Sequence, residues 1–263
     1  MITKYKACSV PKPEEGNTFC EDASMASECI IAVSDGAGGG GVFADRWAQY
    51  LVNNTPNNPI TTAEDFQGWI DAIWEPFYND MEALAKEQGG MLLNKFYDEG
   101  SFATYVAAWR VDNKVKWVAY GDSVVFCYER ASKCLSHSFT ELAGFASAPA
   151  LINCKEEVDL NHVRLGEFDL SANSYVFACS DALAHYVLMM YQTWKGEQIP
   201  QNAVNKNTNY IALAQTKTVD FEEKVLKPLF NSLRDNKLAE HCKKLYVKSR
   251  LLALDDYSLA RLQ

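Results

Sequence analysis

The stretch that most constrains the fold is residues 102–129. Three apolar runs (102–111, 115–120 and 124–129) follow one another there, separated only by the turn signals Asp112-Asn113 and Gly121-Asp122. A parallel crossover needs about a dozen residues or more, so links this short require antiparallel pairing. Further strands are expected at 28–34, 158–167, 175–179 and 257–262. Helical periodicity appears elsewhere. Residues 60–86 carry Phe66, Trp69, Ile70, Ile73, Trp74, Phe77, Met81 and Leu84 at helical spacing. Thr61 and Glu64 have the spacing of a capping box, Pro76 is expected to kink the helix, and Gly89-Gly90 to end it. Residues 220–233 and 239–252 read as two more helices, and 53–58 and 202–209 as polar loops. Strands cluster and long helices cluster, so the class is α+β, with helices packed on antiparallel sheet.

Composition removes several functional classes. Hydrophobic residues make up 48% and charged residues 22%, as in ordinary globular chains. Lys plus Arg is 25 against 34 for Asp plus Glu, a net charge of −9. That balance opposes a nucleic-acid partner, because phosphates require a positive field. No apolar run approaches the roughly 20 residues of a membrane span, the one around His185 to Met190 being short, and the start lacks a secretory pattern. The expectation is a soluble, cytoplasmic chain. Its eight cysteines form no CxxC pair and read as buried, reduced thiols.

Carboxylates recur at strand ends. IIAVSD ends at Asp35 and YVFACSD at Asp181; Asp122 lies in a turn, Asp255-Asp256 precedes the last strand, and Glu21-Asp22 lies before the first clear one. Singly, each is a turn or cap residue. Together, on one rim of a sheet, they raise one another's pKa, and the usual relief is a divalent cation. Hard oxygen ligands without a histidine partner suit Mg²⁺, Mn²⁺ or Ca²⁺ rather than zinc. Gly36, Gly38 and Gly41 satisfy GxGxxG, but Asp35 immediately before them would repel a pyrophosphate, and the expected second strand is replaced by a loop leading into a helix. A P-loop fails because no Lys-Ser or Lys-Thr follows. The glycines are better read as a tight turn bringing a carbonyl near a metal.

The ordered series Glu21-Asp22-Ala23, Asp35-Gly36-x-Gly38-Gly39, Gly100-Ser101-x-Ala103-Thr104, Gly121-Asp122-Ser123, Ser180-Asp181 and Asp255-Asp256-x-Ser258 resembles the protein phosphatase 2C family, the metal-dependent serine/threonine phosphatases. The chain looks like a divergent, bacterial-type member. The resemblance spans nearly the whole chain and implies one catalytic domain over residues 1–263. It implies a four-layer α-β-β-α sandwich of two antiparallel sheets flanked by helices. It further implies a cytoplasmic signalling enzyme that hydrolyses phosphoserine or phosphothreonine in phosphoproteins. Asp35 would bridge two Mg²⁺ or Mn²⁺ ions, with the Gly36 carbonyl on one and Asp181 and Asp255 on the other, so Asp35, Asp181 and Asp255 carry the catalytic role. Glu21 and Asp22 would hold metal-bound waters, and Asp122 would resemble the place of a third, weaker ion. A hydroxide bridging the two ions would attack phosphorus in line.

Departures from the pattern matter. The phosphate-clamping arginine four residues before Glu21 is replaced by Asn17, leaving Lys12 or Lys6 to reach in, and a catalytic histidine is replaced by Ala37. Val124 and Ala182 stand where Arg and Gly are usual. His137, His162, His185 and His241 read as surface or packing residues. Two alternatives stay open: a catalytically weak or inactive binding module, and a hydrolase of small phosphoesters. In the second, residues 142–167 would form a flap that sets the choice.

Overall fold

The structure is a computed structural model and describes residues 5–39, 41–199 and 220–262. The 202–209 loop expectation lies outside them. Among the described residues, one five-stranded antiparallel sheet has the order β1(Lys6–Val10), β12(Tyr257–Leu262), β11(Ser174–Cys179), β7(Val124–Glu129), β8(Cys134–His137). A second has the order β10(Arg164–Asp169), β6(Lys114–Tyr120), β5(Tyr105–Val111), β3(Ile30–Ser34), β2(Ala23–Ala26). A short ribbon pairs β4(Phe102–Ala103) with β9(Ile152–Asn153).

Strand alternation builds the layers. Ile31 and Val33 of β3, Val106 and Ala108 of β5, and Val115 and Ala119 of β6 pack against Val125 and Cys127 of β7, Val176 and Ala178 of β11, and Ala260 and Leu262 of β12. The intervening residues face outward and are also covered. Ile30, Ala32, Tyr105, Ala107 and Trp109 join α1(Ala44–Asn53), α2(Ala63–Gln88) and α3(Gly90–Glu99). Phe126, Tyr128, Phe177, Tyr257 and Leu259 join α4(Asp181–Lys195), α5(Lys227–Arg234) and α6(Leu238–Lys244). Sheets covered on both faces need apolar residues at consecutive positions, so their strands appear in the sequence as unbroken apolar runs. The result is the expected α-β-β-α sandwich.

Several local expectations change. The capping box lies one residue later than expected: the Thr62 hydroxyl accepts from the Asp65 N–H at 3.0 Å and the Asp65 carboxylate accepts from the Thr62 N–H at 3.1 Å. Helix α2 runs through Pro76 as one helix, and Gly89, at φ 115°, ends it before α3 begins at Gly90. The strand expected over 158–167 is β10, Arg164–Asp169, because the Asp159 carboxylate caps a 3₁₀ turn at Leu160–His162 by accepting from the Asn161 N–H at 3.0 Å. Helices α5 and α6 are each joined to a π-helical turn, Glu222–Leu226 before α5 and Leu245–Ser249 after α6. Helix α4 shows no amphipathic stripe in the sequence, because Ala182 to Met190 are all buried and a helix covered all round has no polar face there. All eight cysteines are free, but Cys29 and Cys134 are exposed, so burial is not uniform among them. Among the described residues no helix is long and apolar enough to cross a membrane.

The observed cap separates two neighbouring residues. Thr62→Ala is expected to lower stability by about 1 kcal/mol in urea unfolding, while exposed Glu64→Gln stays within about 0.5 kcal/mol. The reverse order would contradict the assigned cap.

Candidate active site

The register sets the site. Ala23 pairs with Ser34, Val33 with Val106, Tyr105 with Tyr120, Cys179 with Val124 and with Leu259, Tyr257 with Val10, and Arg164 with Ala119. The start of β2, the end of β3, the β6–β7 turn, the end of β11, the start of β12 and the start of β10 therefore share one rim. Those positions carry Asp22, Asp35, Asp122, Asp181, Asp255 and Arg164. Strands from both sheets contribute, so the acids face one another across the gap between the layers.

Side-chain hydroxyls and backbone bonds hold this rim. Ser9 Oγ is 2.8 Å from Ser24 Oγ and 2.5 Å from Ser258 Oγ, joining the edges of the two sheets. Ser180 Oγ accepts from the Ser258 N–H at 2.9 Å. The Thr104 hydroxyl accepts from the Asp35 N–H at 3.2 Å and lies 2.8 Å from Ser123 Oγ, coupling β3 to the Gly121-Asp122-Ser123 turn. Asp256, absent from the expected site, has a positioning part. It is 3% exposed and accepts from the Lys12 N–H at 2.8 Å and the Glu21 N–H at 2.7 Å, pinning the 11–22 loop to β12. The adjacent Asp255-Asp256 pair was the signal for it.

The glycine turn lies under Glu21. A Cβ on Gly36 would meet the Glu21 carbonyl oxygen at 2.6 Å and the Ala44 backbone at 2.8 Å, and a Cβ on Gly38 would collide with the Glu21 carboxylate. The Ala37 N–H donates to the Phe102 carbonyl at 2.9 Å, which holds the turn against β4. Close backbone approach, not dinucleotide binding, explains the glycines.

Electrostatics bind the acids into one unit. Burial pushes the carboxyls of Asp35 and Asp181 well above the ordinary range. Asp22, Asp181, Asp255 and Asp122 add to the effect at Asp35, and Asp255, Asp122 and Asp22 add to it at Asp181. Burial carries Asp22 up to about 7, against the pull of Ser180 and Ser258 hydroxyls. It carries Asp122 to about 6, opposed by a backbone hydrogen bond and by Arg164. Glu21 and Asp255 are raised too, again mainly by burial, and Lys12 draws both back. Asp22 Oδ2 is buried without a hydrogen-bond partner. Lys12 Nζ lies 3.6 Å from Asp255 Oδ1.

Solved structures share this architecture. The catalytic domain of the serine/threonine protein phosphatase PstP, in complex with two manganese ions, aligns over 98% of this chain and 96% of its own, with a TM-score of 0.55 and 15% identity. The serine/threonine phosphatase Stp1 from Staphylococcus aureus aligns over 99% of this chain and 96% of its own, at 0.51 and 13%. PppA, a regulatory component of the T6SS in Pseudomonas aeruginosa, aligns over 99% and 98%, at 0.52 and 13%. The chain has the protein phosphatase 2C fold. No protein-family model and no curated protein sequence matches it.

Within that fold the structure brings together Glu21, Asp22, Asp35, Gly36, Asp122, Asp181, Asp255 and Lys12. Asn17 does not join them: its amide donates to the Lys12 carbonyl at 3.4 Å and accepts from the Phe19 N–H at 3.1 Å, which folds the loop on itself. Lys6 is elsewhere, donating to the Arg234 carbonyl at 2.9 Å and to Asn236 Oδ1 at 2.6 Å. Among the described residues no three His, Cys, Asp or Glu side chains stand together as an assembled ion site. The rim still fits a hard cation by two observations: the orphaned Asp22 oxygen and an all-oxygen donor set. His137 and His241 are half-buried, each with one ring nitrogen buried and unpartnered, His185 packs edge-on to Phe145 at 5.4 Å, and exposed His162 pairs with Asp159 at 3.2 Å.

The raised carboxyls set a pH dependence for the metal-free chain. The folded state keeps protons on Asp22 and Asp122 that the unfolded state releases near 3.8. That stability is therefore present below about pH 4 and lost as pH rises through 6 and then 7. In EDTA the Tm is expected to fall between about pH 5 and pH 8, Asp22→Asn to flatten the fall, and Mn²⁺ at pH 8 to reverse it. A Tm that climbs over that range would contradict the assignment.

Proposed function

We propose that the chain is a metal-dependent phosphoserine/phosphothreonine protein phosphatase, acting as one catalytic domain over residues 1–263. The observation that carries this reading is the convergence of Asp22, Asp35, Asp122, Asp181 and Asp255 on one rim of a phosphatase 2C fold, with the carboxyls of Asp35 and Asp181 raised by burial and further by their acidic neighbours. A cluster left uncompensated this way is costly to keep ionised, and Mg²⁺ or Mn²⁺ is the matching counter-charge. Asp35, the Gly36 carbonyl, Asp181 and Asp255 would hold two ions, with Glu21 and Asp22 supporting their waters and Asp122 at a third position. Bound there, the ions supply Lewis-acid polarisation and neutralise charge on the transferring phosphoryl group.

The chain's own residues orient the rest. Lys12 lies at the rim beside Asp255 and, through its ammonium, supplies the anion contact that Asn17 does not make. An ammonium is a point charge without a guanidinium's fork, so phosphate is held less directionally than by arginine. Asp256 fixes Lys12 and Glu21 through their backbone N–H groups. Helix α4 begins at Asp181 and directs its positive end at that carboxylate, which favours its charged form. The inward folding of Asn17 gives some weight to a second reading, a phosphopeptide-binding module with little turnover.

Hydrolysis of a phosphothreonine peptide and of p-nitrophenyl phosphate, in EDTA, Mg²⁺ or Mn²⁺, tests the proposal. Turnover should require metal and drop about a hundredfold or more in Asp35→Asn. Lys12→Ala should raise KM for the peptide about tenfold. Full activity in Asp35→Asn sinks the mechanism, and tight peptide binding without turnover in wild type moves the binding module to the front.

A further inference from the structure

Arg164 opens β10 on the same rim as the acids, although nothing in the sequence motifs marks it. Beside it lies a cavity of about 290 Å³, lined by Asp122 and by residues of the 139–150 segment. Phe139, Thr140, Ser147, Pro149 and Asn161 contribute to its walls. The apolar faces of Phe139 and Pro149 suit an aliphatic stem, and the hydroxyls and the amide suit a polar end. The volume is that of a side chain with some backbone and exceeds what a lone inorganic anion fills.

The charge in this cavity is specific. The Arg164 guanidinium donates from Nη2 to the Gly121 carbonyl and stacks over the Phe139 ring with Cζ 5.1 Å from the centroid. Those contacts fix its plane. Its Nε is buried and has no hydrogen-bond partner. His162, on the same wall, pairs with Asp159, so Arg164 is the fixed cation among the lining residues. Asp122 acts on Arg164, yet it also belongs to the acid cluster through Asp255. A guanidinium held in fixed orientation on the cavity wall matches a carboxylate better than any other common side-chain group.

We propose that this cavity is a specificity pocket for an acidic residue, glutamate or aspartate, flanking the phosphorylated residue of the substrate, with Arg164 as its anchor. The proposal rests on the phosphatase reading and deepens it. Lys12 follows β1, whose edge meets β2, and Arg164 opens β10 at the far edge of the second sheet, so the acids on the strands between them lie between the two cations. The phosphoryl group belongs between them, at the acids. Arg164 therefore reaches a neighbouring residue of the same peptide. The flap expected over 142–167, whose residues 144–150 and 161–164 line this cavity, would thereby gain a defined chemical preference.

The test uses the full chain with Mn²⁺ and phosphothreonine peptides carrying Glu, Gln or Lys at each position from −4 to +4. Wild type should favour Glu over Gln at one or two positions by roughly tenfold in kcat/KM, the value of one charge-assisted contact. In Arg164→Gln the Glu-to-Gln ratio should fall to about one, and in Arg164→Glu it should invert in favour of Lys. Arg164→Lys keeps the charge, loses the fork and should retain part of the preference. Because each ratio is taken within one protein, a general loss of activity does not affect it. No preference in wild type, or a preference that survives Arg164→Gln, overturns the pocket. If wild type fails to turn over any peptide, the phosphatase reading fails by itself. Fluorescence anisotropy of the same peptides then decides the pocket: tighter binding of Glu peptides that Arg164→Gln removes supports it, and equal binding overturns it.

Discussion

Desolvation of clustered carboxyl groups, reinforced by their mutual repulsion, is the constraint on which the rest of this structure depends. Asp22, Asp35, Asp122, Asp181 and Asp255 come from five separate stretches of chain and meet where two antiparallel sheets face each other. Burial and like charge both disfavour ionisation, so the cluster holds protons that isolated aspartates would release. One lysine, Lys12, offsets part of the charge at Asp255, and one arginine, Arg164, part of it at Asp122. The remainder is work the scaffold must do to hold the acids together, and a divalent cation bound there, as proposed, would recover it.

The scaffold is built to withstand that strain. The inner layer is packed from small and β-branched side chains, Ile31, Val33, Val106, Ala108, Val176, Ala178 and Ala260, which lets the two sheets approach closely. At the rim, where apolar packing stops, a hydroxyl series from Ser24 through Ser9 and Ser258 to Ser180 takes over. Thr104 and Ser123 do the same for the β3 and β6–β7 ends. Hydroxyls suit this place because they can donate to a carboxylate or accept from an N–H as the charge state changes. Asp256 uses its charge differently, as a fixed acceptor that anchors the loop bearing Lys12 and Glu21.

Much of this was legible in the sequence because the signals were local. Three-residue links between apolar runs required antiparallel pairing, and aspartates at strand ends identified the rim. What stayed hidden depended on tertiary context. Helix α4 is buried on all sides, so its period is invisible. The strand expected at 158–167 lost its first half to an Asp159-capped turn, since a short polar side chain can outcompete a ladder for nearby N–H groups. Asn17 carried the correct motif position, but its amide folds back on its own loop. Arg164 could not be found by motif, because its relevance comes from β10 pairing with β6 and ending at the rim.

The central claim is that the acid rim is a proton-loaded cation site. Isothermal titration of Mn²⁺ into the metal-free chain near pH 6.5, repeated in two buffers of different ionisation enthalpy, tests it most directly. The account predicts saturable binding with net release of protons, because the incoming ion displaces those held by the raised carboxyls. Absence of saturable binding, or binding with no proton release, would contradict it.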